Sequence, residues 1–298
     1  MAEPDGAHLM LPLDIIIPLE IDHQHRMENI LVVVQYILDV IKPTKVIIVE
    51  TGERPRGIMA LPDDPRIMKC FIGTTDKKWS KSKPYNTGLM WATSPVVSMW
   101  DADITIPPEV AQGACRGIIE EDVDYVVPYS HTVYLWRKVA LEYVREQKVP
   151  YEKLVGHEGV TNCFENTAGG CSFAKLSTMR HVRGMNELFW GWGFEDDEIL
   201  MRLSKLGFKC IRIRGPLLHI NHHRTPNCLP DDETKDASLY ERCSMVDRDQ
   251  ASILEYMGIT PVPGRYSALT EPEVLDVEAM GRYRDAYEAK RLDSAVGE

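Results

Sequence analysis

The sequence predicts an α/β fold built on a mostly parallel central sheet flanked by helices. Three observations carry that prediction. Residues 14–18 (Asp-Ile-Ile-Ile-Pro) and 45–50 (Lys-Val-Ile-Ile-Val-Glu) are short, continuous apolar runs, the pattern of strands covered on both faces. Residues 26–41 between them read as a helix ended by Pro43, so strand, helix and strand follow one another as a parallel pair requires. Further apolar runs at 95–100 and 124–128 alternate with helical patterns, which extends the same sheet.

Composition narrows the function classes. A chain of 298 residues is long enough for one large or two small domains. The formal net charge of -11 argues against broad coating of nucleic acid. Seven cysteines are scattered with no CxxC pair, which points to reduced thiols in a cytoplasm rather than a disulfide frame or zinc site. No secretory leader is visible, and the apolar run 30–41 is too short to span a membrane and is broken by Gln35 and Asp39. The expected organisation is a catalytic domain over 1–225 and a polar, mostly helical appendage over 226–298 packed on it.

In chain order, the first strand runs into a loop holding Glu20, Asp22, His23 and His25. It lacks the glycine-rich phosphate fingerprint, so a dinucleotide fold of the usual type is not expected. A polar loop over 51–64 precedes a third strand at 66–71. Residues 76–86 place Lys77, Lys78, Lys81 and Lys83 around Trp79 and Tyr85. They read as a solvated basic loop or as a patch for a phosphorylated ligand. A short helix over 84–94 leads to the strand 95–100, which ends at Asp101-Ala102-Asp103. Two acids one residue apart at a strand's end can aim carboxylates at one hard cation, although the pattern alone is common. Beyond the strand at 124–128, residues 133–147 have amphipathic helical spacing, and 151–167 look irregular. Gly169-Gly170 reads as a turn into a short strand, followed by a helix over 176–182.

Two stretches then concentrate chemistry. Trp190-Gly191-Trp192-Gly193-Phe194 runs into Glu195, Asp196, Asp197 and Glu198. Ile199, Leu200, Leu203 and Leu206 continue with helical spacing, so the acids sit on a helix's first turn, where the dipole favours negative charge. For an acidic first turn alone, a helix start with core tryptophans is the better explanation; the Trp-Gly repeats beside it shift the balance toward a site. After strands at 209–213 and 215–220 come His219, His222 and His223. Three imidazoles in five residues suit a divalent metal. In an extended segment His219 and His223 share one face and His222 the other, whereas a turn at Asn221 changes this, so spacing alone does not choose the ligands.

Taken together, these pieces resemble a family. Trp190–Glu198 is similar to the Trp-Gly-Trp-Gly-x-Glu-Asp-Asp-Asp signature of beta-1,4-galactosyltransferases and bacterial chondroitin-type polymerases. Asp101-Ala102-Asp103 resembles their Asp-x-Asp motif, Tyr85-Asn86-Thr87-Gly88 their Leu-Asn-Val-Gly, and Gly169-Gly170-Cys171-Ser172 their Gly-Gly-Val-Ser. His219-Ile220-Asn221-His222 resembles their Met-x-x-His, with His219 in the methionine's place. The order agrees across 14–224.

The resemblance implies a glycosyltransferase-A fold and an inverting transfer of a hexose or N-acetylhexosamine from a nucleotide-diphosphate sugar, UDP being the first expectation. Mn2+ or Mg2+ would assist, with a glycan or other hydroxyl compound as acceptor. It implies Asp196 as catalytic base and Asp103, His219 and His222 as metal ligands. Asp101, Gly170, Trp192, Glu195 and Asp197 would contact the sugars. Pro18, Glu20, Arg26, Lys83 and Asn86 would lie near the nucleotide. The membrane anchor and disulfides of vertebrate members are not evident, Glu198 replaces an aspartate, and the region after Arg224 does not resemble the family. The same chemistry on a hydroxymethylated DNA base or a protein is the alternative, supported only by the basic loop and His222–Arg224. A non-catalytic sugar-binding module is disfavoured by the intact acids.

Overall fold

The strand β1 (Leu11–Leu19) is the axis of the molecule. Ile15, Ile16 and Ile17 are fully buried, so both faces of the strand are covered. It pairs in parallel with β2 (Pro43–Gly52) on one side and β4 (Val96–Trp100) on the other. The computed structural model describes residues 10–75, 78–191, 193–223 and 232–261.

Helix α1 (Gln24–Tyr36) makes the first crossover; His23 caps it, its Nδ1 accepting from the His25 amide at 3.0 Å. The chain then passes through β2, the short α2 (Gly57–Ala60), β3 (Ile67–Gly73) and α3 (Ser82–Trp91). Strands β1, β2 and β3 step outward in one direction, and β4 returns to the far side of β1. The order therefore reverses between β1 and β4. In open α/β sheets, that reversal leaves a crevice at the strands' carboxyl ends where ligands bind.

Beyond β4 come β5 (Ile104–Thr105), α4 (Pro108–Glu120), β6 (Tyr125–Val127), β7 (His131–Leu135), α5 (Arg137–Arg145) and β8 (Val160–Glu165). Then follow β9 (Cys171–Lys175), α6 (Leu176–His181), α7 (Glu195–Lys205), β10 (Cys210–Arg212) and β11 (Pro216–Ile220). Helices α8 (Asp232–Asp247) and α9 (Gln250–Tyr256) close the described chain. The main sheet has seven strands in the order β10-β6-β9-β4-β1-β2-β3, all parallel except β9, which runs antiparallel to both neighbours. Reversing β9 brings the Gly169-Gly170 turn to the carboxyl end of β4. A second sheet, β5-β11-β7-β8, starts where β4 ends.

Two expectations change. Residues 133–147 are not one helix: β7 occupies His131–Leu135 and α5 begins at Arg137, with Trp136 at the N-cap between them. Thr132, Val133 and Tyr134 fit a pleated surface, and pairing with β11 and β8 on both sides prevails over helical spacing. Residues 151–167 are not irregular throughout, because they contain a 3-10 turn (Tyr151–Lys153) and β8. No helix among the described residues is long and apolar enough to cross a membrane.

Candidate active site

The first half of the site is made where the two sheets meet. After β4, the Trp100 indole donates to the Ile104 carbonyl at 3.0 Å and closes the turn through 101–103. The Ile220 amide donates to the Asp103 carbonyl at 2.7 Å, and β5 pairs with β11 so that Ile104 faces His219. Asp103, only 3% exposed, is thereby set against two imidazoles. Its Oδ2 lies 3.1 Å from His222 Nε2 and its Oδ1 3.5 Å from His219 Nε2. These three residues offer ligand atoms all within 4.8 Å of one another. The strand ends at Ile220, so strict alternation stops there and both His219 and His222 reach Asp103; the Asn221 side chain donates to the Leu135 carbonyl at 2.9 Å.

The donor set fits a divalent cation. His222 Nδ1 faces the His223 carbonyl at 2.9 Å, which places the ring proton there and leaves the Nε2 lone pair toward Asp103. A lone pair against a carboxylate is unfavourable unless a proton or a cation lies between them. His219 stacks on Tyr134 at 4.3 Å between centroids, which fixes its ring plane. Two imidazoles with one carboxylate suit Mn2+ better than Mg2+, which prefers oxygen alone. Burial works to raise the Asp103 carboxyl, but His219, His222 and Arg26 outweigh it and hold it well below the usual carboxylate range. His223 does not join the cluster: its amide donates to His25 Nδ1 at 3.2 Å.

The second half is a charge cage. Ser80 Oγ donates to the Phe189 carbonyl at 3.1 Å and the Gly191 amide to the Trp79 carbonyl at 2.7 Å, tying the two loops together. Lys81 is thereby carried inward. Its Nζ lies 2.8 Å from Asp196 Oδ2, 3.2 Å from Asp101 Oδ1 and 3.7 Å from Glu195 Oε1. Burial opposes its charge, but the three acids prevail and raise the lysine well above its ordinary value. Asp196 is pushed up to about 6, by burial first, with Lys81 opposing and Glu195 adding to the rise. Its Oδ1 is buried and makes no hydrogen bond.

The turn into α7 is built by backbone conformation. Gly191 (φ 76), Gly193 (φ 112) and Phe194 (φ 75) all lie in the left-handed region, and Phe194 caps α7 with no side-chain hydrogen bond. A non-glycine residue there is strained and is kept only where surroundings dictate it. Glu198 turns away from the site. It makes a fully buried pair with Arg202, Nε to Oε1 at 2.7 Å, and Arg202 also donates to the Val182 and Gly184 carbonyls at 2.7 and 2.8 Å. The helix is thus fastened to the loop that precedes it.

The remaining sequence candidates fall in different places. Asp101 is held by its amide, which donates to the Gly170 carbonyl at 2.8 Å; Gly170 has φ 101. Pro18 is buried on β1 opposite Val49, at the crevice. Glu20 follows it, with a buried Oε2 that makes no hydrogen bond. Burial and then Asp22 push it up to about 7, against Arg26. Arg26 reaches the cluster around Asp103, with Nη1 3.7 Å from Asp103 Oδ2, while its Nε is 3.1 Å from Asp22. Asp197 is pushed up to about 6 by burial, with Arg242 opposing first. Asn86 is occupied by the loop before α7: it donates to the Met185 carbonyl at 2.8 Å and accepts from the Met185 amide at 2.8 Å. Lys83 is exposed on the first turn of α3, away from the cage that Lys81 enters. Trp192, Lys77 and Arg224 lie outside the described residues.

The sequence marks Lys81 only as one lysine of a basic loop and Gly169 only as part of a glycine turn, and it gives no signal for Tyr129. A Cβ on Gly169 would stand 2.6 Å from Asp196 Oδ2, and the Tyr129 hydroxyl donates to the Gly169 carbonyl. The paired glycines do signal close approach, but not which side chain approaches.

Residues 145–225 match the family of the N-terminal domain of galactosyltransferase. Over 63 residues, 20% of this chain and 16% of that protein, the chain is 35% identical to beta-1,4-galactosyltransferase 5 of Danio rerio. Over 49 residues, 16% of this chain and 15% of that protein, it is 33% identical to beta-1,4-galactosyltransferase 7 of Drosophila melanogaster. The chain thus matches only about a sixth of the length of these relatives. Among solved structures, it is similar to a mutant of the Drosophila beta-1,4-galactosyltransferase 7 in complex with manganese, UDP-Gal and xylobiose. That likeness has TM-score 0.45 and 14% identity, over 76% of this chain and 78% of the other. It is also similar to glucosyl-3-phosphoglycerate synthase of Mycobacterium tuberculosis with Mn2+, UDP and glucosyl-3-phosphoglycerate, with TM-score 0.44 and 13% identity over 84% and 81% of the chains.

Proposed function

We propose that this chain is a divalent-metal-dependent, inverting glycosyltransferase. It moves a hexose or N-acetylhexosamine from a nucleotide-diphosphate sugar, with UDP as the nucleotide, to the hydroxyl of a glycan or similar acceptor. The observation that carries this reading is the link between the two halves of the site. Asp103, His219 and His222 stand on one side, and Asp196 stands on the other, joined through Lys81 and Asp101.

A bound Mn2+ would supply positive charge for the departing diphosphate. Asp103, His219 and His222 would hold it. The residues' own part is proton and position. The acceptor oxygen attacks the anomeric carbon as the carbon–oxygen bond to phosphate breaks, and the nucleotide diphosphate leaves with that electron pair. Attack from the face opposite the leaving group inverts the centre. The hydroxyl proton passes to Asp196 Oδ1, the buried oxygen with no hydrogen bond. Lys81 keeps Asp196 ionised near neutral pH, against the rise that burial and Glu195 impose. Glu195 and Asp197 flank the base and would hold acceptor or donor hydroxyls; Glu20 would face the nucleotide. The six described cysteines are all free, in keeping with a cytoplasmic place of work. With Lys81 inside an acidic cage, that lysine of the basic loop is not presented to a nucleic-acid acceptor.

The test is a panel of UDP-sugars with Mn2+, with Mg2+ and with chelator, beside UDP·Mn2+ binding by calorimetry. Turnover should require metal. H222A should weaken metal binding by at least the roughly 10–100-fold that loss of an outer-shell partner costs. Undiminished turnover in chelator would refute the metal roles of Asp103, His219 and His222.

A further inference from the structure

Helix α8 lies beyond residues 145–225, the segment that matches the galactosyltransferase family. Its contacts nevertheless converge on the turn into α7. Ser238 Oγ donates to the Trp190 carbonyl at 3.4 Å, and the Asn186 amide donates to Glu241 Oε1 at 2.7 Å. The Arg242 guanidinium carbon lies 5.4 Å from the centroid of the Phe194 ring, a cation held near an aromatic face. Positions 238, 241 and 242 share one face of a helix, so all three contacts form together.

The helix is fixed in place. Ser238 and Glu241 are 3% and 6% exposed. The Tyr256 hydroxyl of α9 donates to Glu241, and Lys205 of α7 donates to the Arg248 carbonyl at 2.9 Å, just past the end of α8. Buried polar contacts of this kind specify one arrangement. Phe194, whose backbone is held in the left-handed region, is the residue on which Arg242 sits.

We infer that α8 is a working part of the site, in which Arg242 is a positioning residue that sets Phe194 and Asp197 for the acceptor. The word acceptor rests on the function proposed above; the positioning does not. Arg242 acts on Phe194 by contact and on Asp197 only through its charge. Its guanidinium holds the Phe194 ring, and its charge opposes the rise of the Asp197 carboxyl, against burial and Asp196 and together with Arg212.

The experiment uses the full chain with R242M and R242K. Carboxyl-13C NMR follows the Asp197 titration in metal-free protein, calorimetry follows UDP·Mn2+ binding, and steady-state kinetics use the donor and acceptor found by the panel. In R242M the Asp197 midpoint should rise above its starting value. Acceptor kcat/KM should fall by up to about 100-fold, the cost of a small misplacement, while UDP·Mn2+ affinity holds. R242K should restore the midpoint but only part of kcat/KM, because an ammonium lacks the planar face that meets Phe194. Wild-type values for both the midpoint and kcat/KM in a folded R242M would overturn the inference. If R242M does not fold, R242K decides: wild-type kcat/KM there would show that the planar contact does nothing. A wild-type protein that binds no UDP with Mn2+ would refute the proposed function alone, since the NMR titration still tests Arg242.

Discussion

Lys81 Nζ lies 2.8 Å from Asp196 Oδ2, with the lysine side chain only 4% exposed and the aspartate's 13%. The same ammonium also meets Asp101 and Glu195. One cation cannot balance three carboxylates out of water, so the cage holds acids that resist ionisation. Such a centre is poised to take a proton, and it leaves a measurable trace on stability.

That trace has a defined sign. Asp196 and Asp197 are both raised from 3.8 to about 6, in each case by burial first. Between those values the folded chain binds more protons than the unfolded chain, so unfolding free energy falls as pH rises. The stabilisation is fully present below 3.8 and is lost as pH climbs through about 6. In chelator, the metal-free protein should therefore melt at a higher temperature at about pH 5 than at about pH 7.5. Asp196→Asn should flatten the slope. A melting temperature that is level, or that increases toward neutral pH, would contradict the cage.

Removing the cation should hurt most where the acids are charged. Lys81→Met leaves buried carboxylates unpaired, at a cost of about 3–5 kcal/mol near neutral pH. The cost should shrink at lower pH, where Asp196 and its neighbours accept protons. The acidic limb of the pH–rate profile should move upward, because Lys81 is what opposes the rise of Asp196. Chemical denaturation at two pH values and one rate profile decide this. An equal loss at both pH values would mean that Lys81 acts by packing alone.

How much of this was legible in the sequence depended on residue type. Strands β1, β2 and β4 announce themselves because burial on both faces demands continuous apolar runs. Strand β8 does not, since none of its residues is buried and nothing periodic marks it. The β7–α5 boundary was lost because Val133, Ala140, Leu141 and Val144 keep a helical spacing across a strand and a helix. Asp103, His219 and His222 could be named, yet the face of His222 depends on where the strand ends, at Ile220, which alternation cannot foresee. Lys81 and Lys83 are both lysines in one basic loop. Only the hydrogen bonds of Ser80 and Trp79 to the loop at 189–191 decide which of them turns inward. Arg242 was out of reach, for it belongs to a helix with no motif of its own.

The Gly169 contact gives a sharp steric test. A methyl group there would stand 2.6 Å from Asp196 Oδ2, inside any normal approach. Gly169→Ala must push the carboxylate off Lys81 or shift the turn, at about 1–3 kcal/mol of overpacking. Transfer should fall sharply while UDP·Mn2+ affinity is kept, because Asp103, His219 and His222 are not touched. Unchanged transfer in Gly169→Ala would show that Asp196 does not need its present position.

The buried pair of Glu198 and Arg202 tests how α7 is held. Both side chains are fully buried, and Arg202 also supplies the Val182 and Gly184 carbonyls. Arg202→Met alone strands the Glu198 carboxylate and leaves two carbonyls without a donor, so it should cost about 3–5 kcal/mol. Glu198→Gln keeps a hydrogen-bonding partner for the guanidinium but leaves its charge uncompensated, a penalty of the same kind. Replacing both, as Glu198→Leu with Arg202→Met, removes the stranded charge and should regain most of the loss, leaving the orphaned carbonyls of 182 and 184 as the residue. A double-mutant cycle in denaturant measures the coupling directly. If the two single losses simply add, the pair is not what fastens α7, and the position of Asp196, two residues before Glu198, must be set by the left-handed residues 193 and 194 instead.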